Sequence, residues 1–231
     1  MTGATGKGRT RRRPRTASGR RRAENRRLDR LLTLERQYWD SGLQRVAGLD
    51  EVGRGPLAGP VLAAAVILPP GLAIRGVDDS KRLPAARREA LFHEIRQHAL
   101  CIGIGAASTR EIDRLNILQA TYLAMKRAVC RLRLTPECII IDGLRVPVFG
   151  EEQHAVIDGD AKVHCVACAS IVAKVVRDRL MCRLAPRYPA YHWDENAGYA
   201  TEEHRGAIVQ FGFTPHHRRS FEMNVQLVME F

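Results

Sequence analysis

Two adjacent carboxylates, Asp50 and Glu51, close an apolar run and lead straight into Val52-Gly53-Arg54-Gly55-Pro56-Leu57-Ala58-Gly59-Pro60, a glycine-rich loop around one arginine. A second apolar run, Cys138-Ile139-Ile140-Ile141, ends in Asp142, and Asp160 follows 18 positions later in Asp158-Gly159-Asp160. An isolated Asp is more often a cap or turn residue. Several apolar runs that each deliver a carboxylate favour a shared site, because functional groups of α/β sheets gather at strand ends. No Cys/His cluster accompanies them, so the donor set suits Mg²⁺ or Mn²⁺ better than Zn²⁺. Four carboxylates fit two-metal phosphoryl transfer, in which one ion generates hydroxide from water and the other stabilises the leaving oxygen, with the ions about 3.5 to 4 Å apart. The glycines let main-chain amides approach a ligand without Cβ obstruction. Neighbouring strand residues point to opposite faces, so Asp50 and Glu51 can share a site only if the chain bends there, and Gly53 and Gly55 permit a bend.

The elements that must carry these groups are readable from periodicity. Val46 to Asp50 and Val61 to Leu68 are short apolar runs bounded by turn residues and predict two buried strands. Leu100 to Ala107 predicts a third, Cys138 to Asp142 a fourth and His154 to Ile157 a short fifth. Helical spacing marks Leu28 to Asp40, closed by Gly42, and Pro84 to Ala99. Ser108-Thr109-Arg110-Glu111 is a capping box. The apolar repeat Ile112, Leu115, Leu118, Tyr122, Met125, Val129, Leu132 then predicts one long helix. Cys168 to Leu184 and Thr201 to Phe211 complete the helices, and strands alternating with helices imply an α/β layered fold.

The chain has 231 residues, 45% of them apolar, enough for one domain or one domain plus a tail. Its net charge is +12, but residues 1 to 30 hold twelve Arg and Lys against Glu24 and Asp29, a surplus of ten. The body is therefore nearly neutral. Gly, Ser, Thr, Pro and Arg dominate the first 25 positions, too little apolar surface to offset the entropy of ordering. Residues 1 to 27 are expected to be a disordered basic tail and residues 28 to 231 the domain. Such a tail either attracts phosphate through counterion release or is a solvated extension. No apolar segment of signal-peptide type follows the basic residues, and Val61 to Leu68 is far too short to span a bilayer. The six cysteines are expected to be reduced thiols, the compartment the cytoplasm and the state a monomer, with no membrane association.

The motifs together resemble ribonuclease HII, the type 2 ribonuclease H family. The resemblance spans about Leu28 to Leu227 and rests on Gly48-Leu49-Asp50-Glu51-Val52-Gly53-Arg54-Gly55-Pro56-Leu57-Ala58-Gly59-Pro60, Asp79-Ser80-Lys81 and Ile112-Asp113-Arg114-Leu115-Asn116-Ile117. It continues through Ile141-Asp142-Gly143, Gly159-Asp160, the stretch from Ala169 to Asp178, Gly198-Tyr199-Ala200-Thr201 with His204, and His217-Arg218-Arg219-Ser220-Phe221. The sister family, ribonuclease HIII, resembles the first motif but carries an extra folded N-terminal domain where this chain has basic residues.

The resemblance implies a ribonuclease H-like mixed sheet flanked by helices with a C-terminal helical part. It implies that Asp50, Glu51, Asp142 and Asp160 hold two divalent ions, and that RNA in RNA/DNA hybrids and single ribonucleotides in duplex DNA are cut on the 5′ side, leaving 3′-hydroxyl and 5′-phosphate ends. Gly53, Arg54 and Gly55 would touch the 2′-hydroxyl and adjoining phosphate, the group by which RNA differs from DNA. Tyr199 would pack on the sugar of the next deoxynucleotide, and Lys81, Ser170 and Lys174 would contact backbone phosphates. Arg218 and Arg219 either reach phosphate or form a plain surface pair. The chain departs from the family pattern at His164-Cys165-Val166-Ala167-Cys168, where a proline near 164 and no cysteine pair are expected. That stretch reads as small buried residues opening a helix rather than as a metal or redox motif, since no second Cys/His pair has matching spacing. Two other readings remain at this level: a basic nucleic-acid-binding protein without catalysis, and a two-metal nuclease without ribose selectivity.

Overall fold

The computed structural model describes residues 16–150 and 152–221. Five strands form one mixed sheet: β1 (Val46–Val52), β2 (Val61–Ile67), β3 (Cys101–Ala107), β4 (Cys138–Asp142) and β5 (Gln153–Val156), in the order β3-β2-β1-β4-β5. The first three are antiparallel neighbours, whereas β4 runs parallel to both β1 and β5. The helices are α1 (Ala17–Leu31), α2 (Thr33–Asp40), α3 (Ala85–His98), α4 (Thr109–Leu115), α5 (Ile117–Cys130), α6 (Gly159–Lys162), α7 (His164–Leu184), α8 (Trp193–Asn196) and α9 (Glu202–Phe211). The mixed sheet flanked by helices is thus present, and α8 and α9 supply the C-terminal helical part.

Strand alternation divides the core. Ala64 and Val66 face α3 and α7, while Leu49, Ala63, Ala65, Ile139 and Ile141 face α5. Both layers press close because the strands carry small residues at the crossings. At Gly48 an added Cβ would fall inside the backbone of Cys165 and Val166, and at Gly103 and Gly105 inside that of α5. A smaller cluster around Leu57, Met181, Tyr191, Trp193 and Ile208 fastens the C-terminal helices to the loop after β1.

Three expectations change. The helix expected over Leu28 to Asp40 is broken at Leu32 and its first part begins upstream at Ala17. Ala17 to Arg27, assigned to a disordered tail, are therefore helical. The side chain of Thr16 caps the helix by accepting from Gly19 N at 3.1 Å, and Glu24 accepts from both Arg27 and Gly76 N. Composition could not register that last bond, which comes from a residue 52 positions away. Positions 1 to 15 and 222 to 231 lie outside the described residues. The long helix expected from Ile112 to Leu132 is two helices, since Asn116 adopts φ 71° and both ends α4 and caps α5 by accepting from Gln119 N. Asn tolerates the left-handed region because its short side chain bonds locally. The final helix-bearing correction is at His164, where α7 begins four residues earlier than expected.

That earlier start has an unexpected partner. Glu35 of α2 is buried and accepts hydrogen bonds from the main-chain N–H of His164 and Cys165, each at 3.1 Å, so one helix caps another. Cys165 and Cys168 are free and fully buried, and burial pushes both thiols well above their ordinary range. This is the structural reading of the pair, with no second metal-ligating pair at matching spacing. Burial also raises the Glu35 carboxyl to about 7, outweighing the two N–H donors that favour its charged form. A carboxyl whose pKa is raised in the fold stabilises below its unfolded pKa, and that contribution is lost as pH rises through about 7. Relative to Glu35→Gln, the wild type should lose on the order of 3 kcal/mol between pH 5 and pH 8. Urea unfolding of both proteins in a chelator at the two pH values measures this difference, and parallel losses would contradict it.

Candidate active site

Register explains why the carboxylates meet. Parallel pairing of β1 with β4 runs from Val46↔Cys138 to Leu49↔Ile141, so the next step sets Asp50 beside Asp142 on the same face. Asp160 joins them from the first turn of α6, whose start is fixed when Gly159 N donates to Asp142 Oδ1 at 2.6 Å. One carboxylate oxygen from each of Asp50, Asp142 and Asp160 lies within 4.8 Å of the others. Glu51 is outside this trio. Strand β1 continues past Asp50 to Val52, so by alternation the Glu51 side chain leaves on the opposite face. It still borders the cleft because β1 overruns β4, and its Oε1 accepts from Arg54 Nη1 at 3.3 Å.

Burial and proximity set the electrostatics. The Asp50 carboxyl is pushed well above its usual range by burial and by the charges of Glu51 and Asp142. Burial raises Glu51, with Arg54 opposing, and raises Asp160 to about 6, with Asp142 and Asp79 adding to it. Lys81 shows the converse: burial lowers it, but Asp160, Asp79, Asp50 and Asp142 outweigh that and hold it protonated above its normal pKa. The residues present fit a hard divalent cation: three clustered carboxylates with no sulfur or imidazole among them, and a lysine whose charge they stabilise.

A cleft of about 240 Å³ opens over these groups, lined by Asp50, Glu51, Gly53, Arg54, Gly55, Ser80, Lys81, Ser170, Lys174 and Tyr199. Every substrate-contact candidate named from sequence therefore borders one space. Ser170 Oγ and Ser80 Oγ are 2.9 Å apart, joining α7 to the Asp79-Ser80-Lys81 loop. Lys174 Nζ is held by Asp178 at 2.8 Å. Tyr199 is 44% exposed at the rim.

Residues whose role the sequence leaves open hold this rim in place. Arg218 is not a surface residue. It is 1% exposed and donates from Nε to Gly59 O at 3.0 Å, from Nη1 to Arg54 O at 2.8 Å and from Nη2 to Gly53 O at 2.5 Å. Arg177, fully buried, donates in the same way to the carbonyls of Ala58, Pro60 and Ala197. Two guanidiniums thereby absorb the carbonyls of the glycine loop, while the main-chain N–H groups of Arg54 and Gly55 make no hydrogen bond among the described residues. Tyr199 is anchored through its carbonyl, which can only accept, so His204 Nδ1 carries the proton at 2.8 Å. His204 Nε2 then accepts from Trp193 Nε1 and from His217 Nε2, and His217 Nδ1 accepts from Thr214 N. Burial lowers the pKa of both imidazoles, which keeps this chain neutral. Asp113 accepts from the N–H groups of Arg219 and Ser220, so two of the recognised motifs serve each other rather than a ligand. Identity alone gives no such signal, since an arginine in a basic sequence is expected outside.

A family profile described as ribonuclease HII matches residues 47–224. The chain belongs to the ribonuclease HII family. It is 53% identical over 191 residues to the ribonuclease HII of Thermosynechococcus vestitus, covering 82% of this chain and 89% of that protein. It is 54% identical over 188 residues to that of Granulibacter bethesdensis, covering 79% and 86%. Among solved structures it is similar to the ribonuclease H2 of Pyrococcus horikoshii, with TM-score 0.65, 28% identity and coverage of 77% of this chain and 94% of that one. The fold is ribonuclease H-like and the protein is a hydrolase of the ribonuclease H type, an endonuclease that acts on nucleic acid, in a family that uses divalent metal ions. The non-catalytic reading is thereby corrected. Among the described residues no helix is long and apolar enough to cross a membrane.

Arg218→Met should destabilise the protein by about 2 to 5 kcal/mol, because the carbonyls of Gly53 and Gly59, both buried, and of Arg54 lose their donor. Arg219→Met, one position on and exposed, should cost less than about 0.5 kcal/mol. Denaturant midpoints of the two variants decide it, and equal costs would show that the guanidinium contacts carry no weight.

Proposed function

We propose that this chain cuts the RNA strand of RNA/DNA hybrids and incises duplex DNA on the 5′ side of single embedded ribonucleotides, leaving 3′-hydroxyl and 5′-phosphate ends. The observation that carries the reading is one cleft lined by Asp50, which belongs to the carboxylate cluster, by Glu51, and by a glycine loop in which the Arg54 and Gly55 amides have no hydrogen-bond partner among the described residues. Asp50, Glu51, Asp142 and Asp160 are the proposed ligands for two Mg²⁺ or Mn²⁺ ions. When bound, those ions supply Lewis-acid charge to the attacking water and the leaving 3′-oxygen.

The chain's own groups do the rest. In this reading the amides of Arg54 and Gly55, which line the cleft, donate to a ribose 2′-hydroxyl, and the lack of a Cβ at Gly55 allows that approach. Lys81, Lys174 and Ser170 offer two point charges and a hydroxyl to backbone phosphates. Tyr199 presents a ring to the adjoining deoxyribose, which lacks the hydroxyl that would clash with it. The remaining alternative, a metal-dependent nuclease blind to ribose, predicts equal cutting of an all-DNA duplex.

A labelled duplex containing one ribonucleotide, incubated with the enzyme and Mg²⁺ or Mn²⁺, should be nicked immediately 5′ of that residue, while its all-DNA counterpart stays intact. Absence of the nick under either ion sinks the assignment. Asp50→Asn should lower the rate at least about 100-fold. It should also raise the melting temperature in EDTA at pH 8, since ionising a carboxyl whose pKa is raised in the fold costs the folded state. A variant that loses activity and also melts lower would point to misfolding instead.

A further inference from the structure

The helix α1 lies outside the stretch matched to the family, yet it packs on α6 and on the segment that leads to Lys81. Its docking side is defined by Glu24, which accepts from Gly76 N at 2.9 Å, by Asn25, which accepts from Arg75 Nη1 at 2.9 Å, and by buried Leu28 and Leu31. Gly76 is five residues from Lys81, a reach of at most about 17 Å. α1 also packs against α6, the helix that carries Asp160. The helix thus abuts both segments that bring charge to the site from this side.

Its outer surface is basic in a specific pattern. Arg22, Arg26 and Arg30 recur every four residues, all exposed. At 100° and 1.5 Å per residue they spread over about 80° of the face opposite the docking side and stand about 6 Å apart along the axis. Arg20 and Arg21, also exposed, add charge at the helix start but lie off this row. None of these five has an ion-pair partner among the described residues: Glu24 is taken by Arg27, and Asp29 by Arg36. The pattern works against the helix itself, since like charges at i,i+4 repel and cations near the N-terminus oppose the helix dipole. A sequence selected only for a solvated helix would intersperse acids.

We propose that Arg22, Arg26 and Arg30 form a phosphate-binding rail that grips the backbone of a duplex nucleic acid beside the cleft. This rests on the nucleic-acid substrate proposed above. One turn of duplex, about 34 Å, is long enough to lie on the rail and over the carboxylates at once. The contacts are electrostatic and independent of base sequence, so they add affinity and salt sensitivity without altering where the strand is cut.

The test compares the full chain with its Arg22→Gln/Arg26→Gln/Arg30→Gln variant. Fluorescence anisotropy gives the Kd for a duplex of about two turns carrying one ribonucleotide, with Ca²⁺ replacing Mg²⁺, from 50 to 200 mM salt. Three lost phosphate contacts should make the log–log slope shallower by about 2.7, so that wild-type affinity falls about 40-fold further than the variant's over that range. Identical slopes overturn the rail. Arg133, in the loop before β4 and so at the sheet end opposite Asp142, is the control. Arg133→Gln should keep the wild-type slope, and an equal change per charge there would mean net charge rather than a site, which also overturns it. Anisotropy reads the rail whether or not the wild type cuts the duplex, so its failure is separable from failure of the proposed activity.

Discussion

Three carboxylates held within 4.8 Å of one another in a half-closed cleft repel strongly when ionised. At an effective dielectric near 20 each pair costs about 3 kcal/mol. An unconstrained chain would let them part. What prevents this is parallel pairing between β1 and β4, which continues the register Leu49↔Ile141 into Asp50 beside Asp142, and the bond from Gly159 N that ties Asp160 to the same place. The fold holds the charges together, and burial first and this repulsion second raise the pKa values of Asp50 and Asp160. A divalent cation would relieve that repulsion, which links the stability of the site to its chemistry.

The rest of the architecture serves this arrangement. Gly48 lets α7 lie against β1 without an intervening Cβ, bringing Ser170 over Asp50. Glu35 caps the start of α7 from another helix, and so determines where that helix begins. On the far side of the cleft, Arg177 and Arg218 gather the carbonyls of the loop after β1. With these carbonyls bonded, the amides of Arg54 and Gly55 are left without a partner among the described residues. The loop is thus fastened by two buried guanidiniums together with main-chain bonds to Gly198, His216 and Arg218.

Most of the strands and most of the cleft were legible from the chain, because both depend on local patterns. Short apolar runs between turn residues marked all five strands to within two residues, and the capping box at Ser108 stands as expected. The misread segments share a cause. Asn116 interrupts an apolar repeat that continues on either side of it, and periodicity does not register a single left-handed residue. Residues 17 to 27 were judged on composition, yet their helix is fastened by Glu24 and Asn25 to residues some fifty positions away. Glu51 leaves the strand on the face opposite Asp50 and still lines the same cleft, because β1 runs past the end of β4.

By itself the sequence determined the donor chemistry: oxygen ligands, no sulfur or imidazole among them, a glycine loop directly after the first pair and a lysine and serine in matched motifs. Those are properties of residue type and order. Only the tertiary structure decided which carboxylates meet, that Arg218 and Arg177 turn inward, that Tyr199 is held by a neutral histidine chain, and that a basic segment becomes a helix beside the cleft. Each of these depends on partners distant in sequence, and on burial, which reverses the behaviour expected of a charged side chain: an arginine that would be a surface cation becomes an internal donor once the carbonyls around it have no water to bond.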